Sequence, residues 1–325
     1  MKVSIISHSG VATRQAIFYN GLSTNHGIEV QQIYPLDWNN HRRMGGYPVS
    51  NPGDMMAYQL PQVALDDIAR FRSDILYLQN EAYCKVAPQI VKWVEGPKFV
   101  IFVWENIREY EGESKHIIES ADYVICGNKE AEDLVKKHNP KTTILPQVGI
   151  DFDLFKPMNP PLDRTYDGIF VGRPTPEKGI EVSRQAFADT EYQVWYANGI
   201  PYHGMPKAFN RAKVNLVPSL DTPVWKEQFA PFSSIESLGC GCYIVASQSA
   251  AIMEWLASAP GVALIPQGSP GHLGFAVERF LEEFEHVNQD GKIDWKINAA
   301  GMNWAREYFS CQAVGDKLIK ILGAL

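Results

Sequence analysis

The sequence predicts an α/β protein built as two domains, each a doubly wound parallel sheet. At 325 residues the chain exceeds the comfortable size of one compact core. Short β-rich apolar runs alternate with helical stretches, at intervals that suit βαβ crossovers. That pattern stops at the proline-rich segment Pro157–Pro161 and then restarts. Such a segment can only be loop or extended linker, so the domain boundary is placed there.

Lys2–Ser7 is a first strand, followed by His8, Ser9 and Gly10 and then a helical pattern through Ala16, Phe18 and Leu22. Further strands are expected at 29–33, 75–78, 99–103, 123–126 and 143–145, with helices notably at Gln62–Phe71 and 87–93. Residues 38–60, rich in Asn, Gly, Pro and Met, read as an irregular surface loop. In the second half strands are expected at 168–171, 192–196, 214–217, 243–246 and 262–265. Helices fit 181–188, 205–212, 233–238, 250–256, 273–285 and 297–309, and the helical signal continues over 311–322.

Composition removes several function classes. A net charge of -7 and a pI near 5.7 oppose nucleic-acid binding, which favours a basic excess. No run approaches the roughly 20 apolar residues of a membrane helix, and the N-terminus lacks the apolar core of a secretory signal. A cytoplasmic location is expected, with peripheral attachment to a membrane as the alternative. The five cysteines are odd in number and scattered, which fits reduced thiols. Cys240 and Cys242 stand too close in sequence for a usual zinc knuckle and have no matching second pair, so no metal is expected.

Two segments carry the chemistry. The apolar run ending at Gly172 feeds a Pro-bounded turn with Arg173 and Lys178, two cations able to neutralise a diphosphate. Solvated loop cations are the plain alternative. Some sixty residues on, Glu236 falls in a helix starting after Pro231, with Ser233 and Ser234 as candidate caps. The start of such a helix favours an anion, and a carboxylate one or two turns on can accept hydrogen bonds from sugar hydroxyls. Diphosphate and polyol together describe a nucleotide sugar.

With these segments in view, the chain resembles the retaining glycosyltransferases of family 4. The likeness rests on five pieces in the family's order: Val124–Asn128; Leu145–Asp151 with Phe155–Pro157; Gly172–Arg173 to Lys178–Gly179; Val217–Ser219; and the Glu236 segment closing in Ile244–Ser247. The resemblance implies the GT-B architecture, two Rossmann-like domains facing a central cleft. Residues 1–157 form the acceptor-side domain, 158–308 the nucleotide-sugar domain, and 309–325 a terminal helix returning to the first.

The resemblance also implies the roles. Arg173 and Lys178 stabilise the departing phosphate, and Glu236 takes the ribose. The family separates its two glutamates by seven intervening residues, which puts Gln228 in the first slot of this chain and Pro231 in the usual glycine slot. One extra residue puts Glu227 in the acidic slot and Ala230 in the glycine slot, across the segment Glu227, Gln228, Phe229 and Ala230. That register is preferred because it restores both the carboxylate and the backbone N–H that proline lacks. Ile200 and Ser219 fall near the base and the cleft.

In the first domain, His8, Ser9 and Gly10 follow the C-terminal end of the first strand, where open α/β sheets place ligands. Gly10 would let backbone approach a phosphate or acceptor. Many family members carry a histidine near Trp104; this chain offers Glu105 or Asn106 for sugar contact instead. Gly149 and Asp151 stand at the expected linker, as contacts or as turn formers. The donor is a nucleotide diphosphate sugar and no cofactor is required. The acceptor is a glycan, a lipid-linked molecule or a small molecule, and oligomeric state is open. A nucleotide-sugar 2-epimerase of the same architecture, or a non-catalytic nucleotide-sugar or glycan-binding subunit, are the rival readings.

Overall fold

The computed structural model describes residues 1–7, 13–35, 46–47, 59–93, 96–159, 162–229, 231–287 and 293–325. The chain divides into two compact units, Met1–Gly149 with Cys311–Leu325, and Ile150–Ser310.

The first unit runs β1 (Lys2–Ser7), α1 (Thr13–His26), β2 (Glu29–Pro35), β3 (Gly46–Tyr47), α2 (Gln62–Phe71), β4 (Ile75–Gln79), α3 (Val86–Trp93), β5 (Lys98–Val103), α4 (Gly112–Ser120), β6 (Tyr123–Cys126), α5 (Lys129–Lys136) and β7 (Thr142–Ile144). Its seven-stranded sheet has the order β3-β2-β1-β4-β5-β6-β7 with every pairing parallel. The order reverses between β1 and β4, which is the switch point of a doubly wound sheet. Parallel strands covered on both faces read as continuous apolar runs, and β4 and β6 show why the sequence pattern was clear. Leu76, Leu78, Ile101, Val103, Val124 and Cys126 pack on one face with Ala64, Ile68, Ile90, Ile118 and Val135 from α2 to α5. The Asn128 side chain caps α5 by accepting from the Ala131 N–H at 2.8 Å. The Val124–Asn128 piece is therefore a strand followed by a helix cap.

The second unit runs β8 (Tyr166–Val171), α6 (Ile180–Phe187), β9 (Val194–Ala197), α7 (Met205–Phe209), β10 (Ala212–Val217), α8 (Phe232–Gly239), β11 (Tyr243–Ser247), α9 (Ala250–Leu256), β12 (Val262–Ile265), α10 (Pro270–Phe284), β13 (Glu285–Val287), β14 (Ile293–Trp295) and α11 (Ala299–Phe309). The parallel order β12-β11-β10-β8-β9 reverses between β8 and β10. Alternate residues of β11 enter two different cores. Ile244 and Ala246 join Ile235, Leu238, Ile252 and Phe309, while Tyr243 and Val245 join Leu273, Val277 and Trp295. The last helix, α12 (Cys311–Leu322), belongs to the first unit and packs against α1.

Three differences from the sequence reading have local causes. The helix expected over 205–212 ends at Phe209, because Ala212 already pairs with Tyr166 in the sheet. The Arg164 guanidinium donates to the Phe209 and Ala212 carbonyls and at 2.6 Å to that of Cys240, tying the turn to the end of α8. Residues 150–157, assigned from sequence to the first domain, pack with the second unit. Phe152 and Phe155 are buried there, and a Cβ on Gly239 would stand 2.6 Å from the Phe152 ring and 2.7 Å from the Phe155 carbonyl oxygen. The proline run marks a loop, but aromatic burial before it sets the unit's edge. Finally, neither Ser233 nor Ser234 caps α8. Pro231 occupies the cap without a side-chain bond, and the Ser234 N–H goes to the Pro231 carbonyl at 2.7 Å.

Candidate functional site

The switch point of the second sheet brings together three of the residues singled out from sequence, Lys178, Ser219 and Glu227. Beyond β8 the chain turns through Arg173 and a short helical turn at Pro176–Lys178 into α6. Beyond β10 it passes through Pro218 and Ser219 into the 220–227 loop. Gly179 joins these two segments. It has φ +72°, and a Cβ there would lie 1.7 Å from the Pro218 carbonyl oxygen, so only glycine permits this approach. The Leu220 N–H donates to the Glu177 carbonyl at 2.9 Å, a second tie between the loops.

The approach brings Lys178 to Glu227. Lys178 Nζ stands 2.7 Å from Glu227 Oε1, and the Ser219 hydroxyl donates to the same oxygen at 2.6 Å. Glu227 is 7% exposed at its side chain and Lys178 21%, so the pair is largely withdrawn from solvent. The ammonium also lies 4.7 Å from the centre of the Trp225 ring, a cation–π contact. Arg173 is different. Its side chain is 69% exposed and stands 3.8 Å from Glu177 Oε1. A partly screened lysine and an open arginine thus share one loop.

The other donor-side candidates have distinct surroundings. Glu236 is buried in α8 at 2% exposure. Gln228 is half-buried. Phe229 packs against Trp255 at 4.9 Å and Phe232 at 5.1 Å, so its ring is a core element. Ile200 is also partly buried against that core. Gly172 has room for a methyl group, its nearest neighbour being the Phe170 ring at 3.8 Å, and so is not required by the backbone. Ala230, His8, Ser9 and Gly10 lie outside the described residues.

Glu105, in the first unit, is a hub rather than an open ligand. Oε1 accepts from the N–H groups of Ile107 at 2.9 Å and Arg108 at 3.1 Å, while Oε2 accepts from the Tyr83 hydroxyl and Arg108 Nε, both at 3.0 Å. Burial alone would raise its pKa, but those N–H groups, the Tyr83 hydroxyl and the Arg108 charge outweigh it and hold it below the usual range. Asn106 donates to Glu130 at 3.1 Å. Gly149 is buried without a left-handed backbone, and Asp151 Oδ1 accepts from the N–H groups of Asp153 and Leu154, as a turn former does.

Sequence reasoning missed Glu81. It follows β4, is fully buried, and accepts from the Trp104 N–H, the Glu105 N–H at 2.7 Å and the Tyr110 hydroxyl at 3.3 Å. Burial pushes its pKa up to about 8 despite the N–H donors, with the Glu105 charge adding to the rise. Asp221 and Gln267 were missed too. Among the described residues no group of three or more His, Cys, Asp or Glu side chains is placed to hold a metal, and no helix is long and apolar enough to cross a membrane.

No family model matches the chain, and no curated protein matches it in sequence. Among solved structures it is similar to sucrose-phosphate synthase from Thermosynechococcus elongatus, at 15% identity and TM-score 0.72 over 100% of this chain and 98% of that one. HepE of Anabaena in complex with UDP-glucose is similar at 14% identity and TM-score 0.68, with 100% of both chains covered. A glycosyltransferase from Rickettsia africae is similar at 12% identity and TM-score 0.71, over 99% of this chain and 98% of that one. These likenesses, with the two parallel-sheet α/β units, establish the fold as GT-B.

Proposed function

We propose that the protein is a retaining glycosyltransferase that moves a sugar from a nucleotide diphosphate sugar to an acceptor hydroxyl without a metal. The observation that carries this reading is the Lys178–Glu227–Ser219 cluster, with exposed Arg173 nearby in sequence, at the switch point of the second sheet. As the bond to the anomeric carbon breaks, negative charge grows on the diphosphate and positive charge on the sugar ring. Arg173 and Lys178 oppose the first, and pre-placed cations lower the barrier without reorganising at the moment of reaction. Glu227, fixed by Ser219 and Lys178, accepts hydrogen bonds from donor-sugar hydroxyls, and Glu236 accepts from the ribose. By its resemblance to family 4, the leaving phosphate takes the proton of the acceptor hydroxyl on the same face of the sugar.

Support for this choice of donor comes from HepE, whose structure holds UDP-glucose. A thermal-shift screen of nucleotide sugars, led by UDP-glucose, tests the reading, since a ligand selective for the folded state raises the melting temperature by mass action. Donors that stabilise the protein are then offered acceptor hydroxyls, and the anomeric configuration of the product is read by NMR. Retention is expected. Inversion would remove the retaining mechanism, epimerised free sugar would favour the epimerase, and stabilisation without turnover across a broad acceptor panel would favour the binding subunit. Transfer is expected to continue in excess EDTA; loss restored by magnesium or manganese would contradict metal independence.

A further inference from the structure

The 220–227 loop that delivers Glu227 is fastened at its other end by a residue 40 positions away from Glu227 in sequence, just beyond β12. Gln267 Oε1 accepts from the Asp221 N–H at 2.7 Å, while Gln267 Nε2 donates to Asp221 Oδ2 at 3.0 Å and to the Gln248 carbonyl at 3.0 Å. Both amide protons and the carbonyl oxygen are therefore used, and a flipped amide would set oxygen against carboxylate and carbonyl. Asp221 Oδ1 in turn accepts from the Glu227 N–H at 3.3 Å. Within the same loop Thr222 and Trp225 exchange backbone hydrogen bonds at 2.6 and 3.4 Å. The path from Gln267 to the backbone of Glu227 is two hydrogen bonds long.

We propose that Gln267 is a positioning residue for donor-sugar recognition: through Asp221 it sets the 220–227 loop so that the Glu227 carboxylate rests on Lys178 and Ser219. The inference depends on the donor reading of Glu227 given above. It assigns sugar selectivity to a polar clamp on the loop after β12, outside the segments that carry the family resemblance. Side-chain amides suit this task because they donate and accept at once, which neither a carboxylate nor an ammonium does.

The ionisable groups on the segments the clamp joins include Asp221, Lys226 and Glu227 of the 220–227 loop, Lys178 paired with Glu227, and His272, whose Nδ1 lies 2.6 Å from Ser269 Oγ. Gln267→Glu would set a second carboxylate against Asp221. Two carboxylates at that spacing share a proton once the pH is low enough, and the shared O–H restores a donor between them.

The test measures affinities for UDP, ADP and GDP, each with and without glucose attached, in wild type, Gln267→Leu and Gln267→Glu between pH 5.5 and 8. Gln267→Leu is expected to lose at least tenfold in affinity for the sugar conjugate while the bare nucleotide stays within about twofold. Gln267→Glu should show the same selective loss at pH 8 and regain the conjugate at pH 5.5. Unchanged affinities, equal loss of nucleotide and conjugate, or a Gln267→Glu defect independent of pH would overturn the positioning role. Wild-type protein that binds none of the conjugates would instead overturn the donor reading, and the inference with it. Should Gln267→Leu fail to fold, the pH recovery of Gln267→Glu decides alone.

Discussion

Arg173→Ala is expected to lower turnover by roughly 10²-fold or more while leaving the melting temperature unchanged, the scale seen when one stabiliser of transition-state charge is removed. Its side chain is 69% exposed and its contact with Glu177 is 3.8 Å, so the folded state gains little from it. Lys178→Ala should cut turnover at least as far, and it should also lower stability. Glu227, 7% exposed, would keep the Ser219 hydroxyl but lose its cation. Breaking a fully buried pair leaves an uncompensated charge worth about 3–5 kcal/mol; with Lys178 21% exposed, about 1–3 kcal/mol is expected. Initial rates and thermal melts of both variants separate the two effects. Full activity in both would remove the proposed phosphate site.

Glu81→Gln is expected to stabilise the protein at alkaline pH. The folded carboxyl titrates at about 8, against about 4.3 in an unfolded chain. Between those values the native state holds a proton that the unfolded state has released, so stability falls as pH rises through the window and is unaffected below it. At about 1.4 kcal/mol per pH unit the penalty near pH 8 is on the order of a few kcal/mol. A glutamine removes the titration. Its carbonyl oxygen keeps the Trp104 and Glu105 N–H donors, and its NH2 faces the Tyr110 oxygen. Denaturation at a series of pH values should give wild type a downward slope from pH 5 to 8 that the variant lacks. Parallel profiles would show that Glu81 is not protonated in the folded protein.

The alternation of strand and helix was legible because parallel strands covered on both faces are apolar along their whole length, and because helices such as Gln62–Phe71 and Ala250–Leu256 show their buried stripe in sequence. Boundaries set by distant contacts were not. The end of α7 depends on Arg164, 45 residues before Phe209, and the edge of the second unit depends on Phe152 and Phe155 meeting Gly239.

The site shows the same division. Arg173 and Lys178 were singled out from local residue type, and Ser219 and Glu227 from the family resemblance, but nothing local says that Lys178 and Glu227 share one ion pair. That contact spans 49 residues and depends on Gly179 meeting Pro218. Gln267 and Asp221 are 46 apart, and an isolated glutamine carries no sequence signal. Glu81 looks like any surface glutamate until Trp104, Glu105 and Tyr110 close around it.

In the proposed donor site one glutamate reads the sugar and another the nucleotide, and calorimetric affinities of UDP and UDP-glucose for wild type, Glu227→Ala and Glu236→Ala test this most directly. Glu236→Ala should weaken both ligands by about 1.5–3 kcal/mol, because the proposed ribose contact would be common to them and charge-assisted. Glu227→Ala should weaken UDP-glucose alone, with UDP nearly unchanged; UDP-glucose binding that survives both substitutions intact would contradict the account.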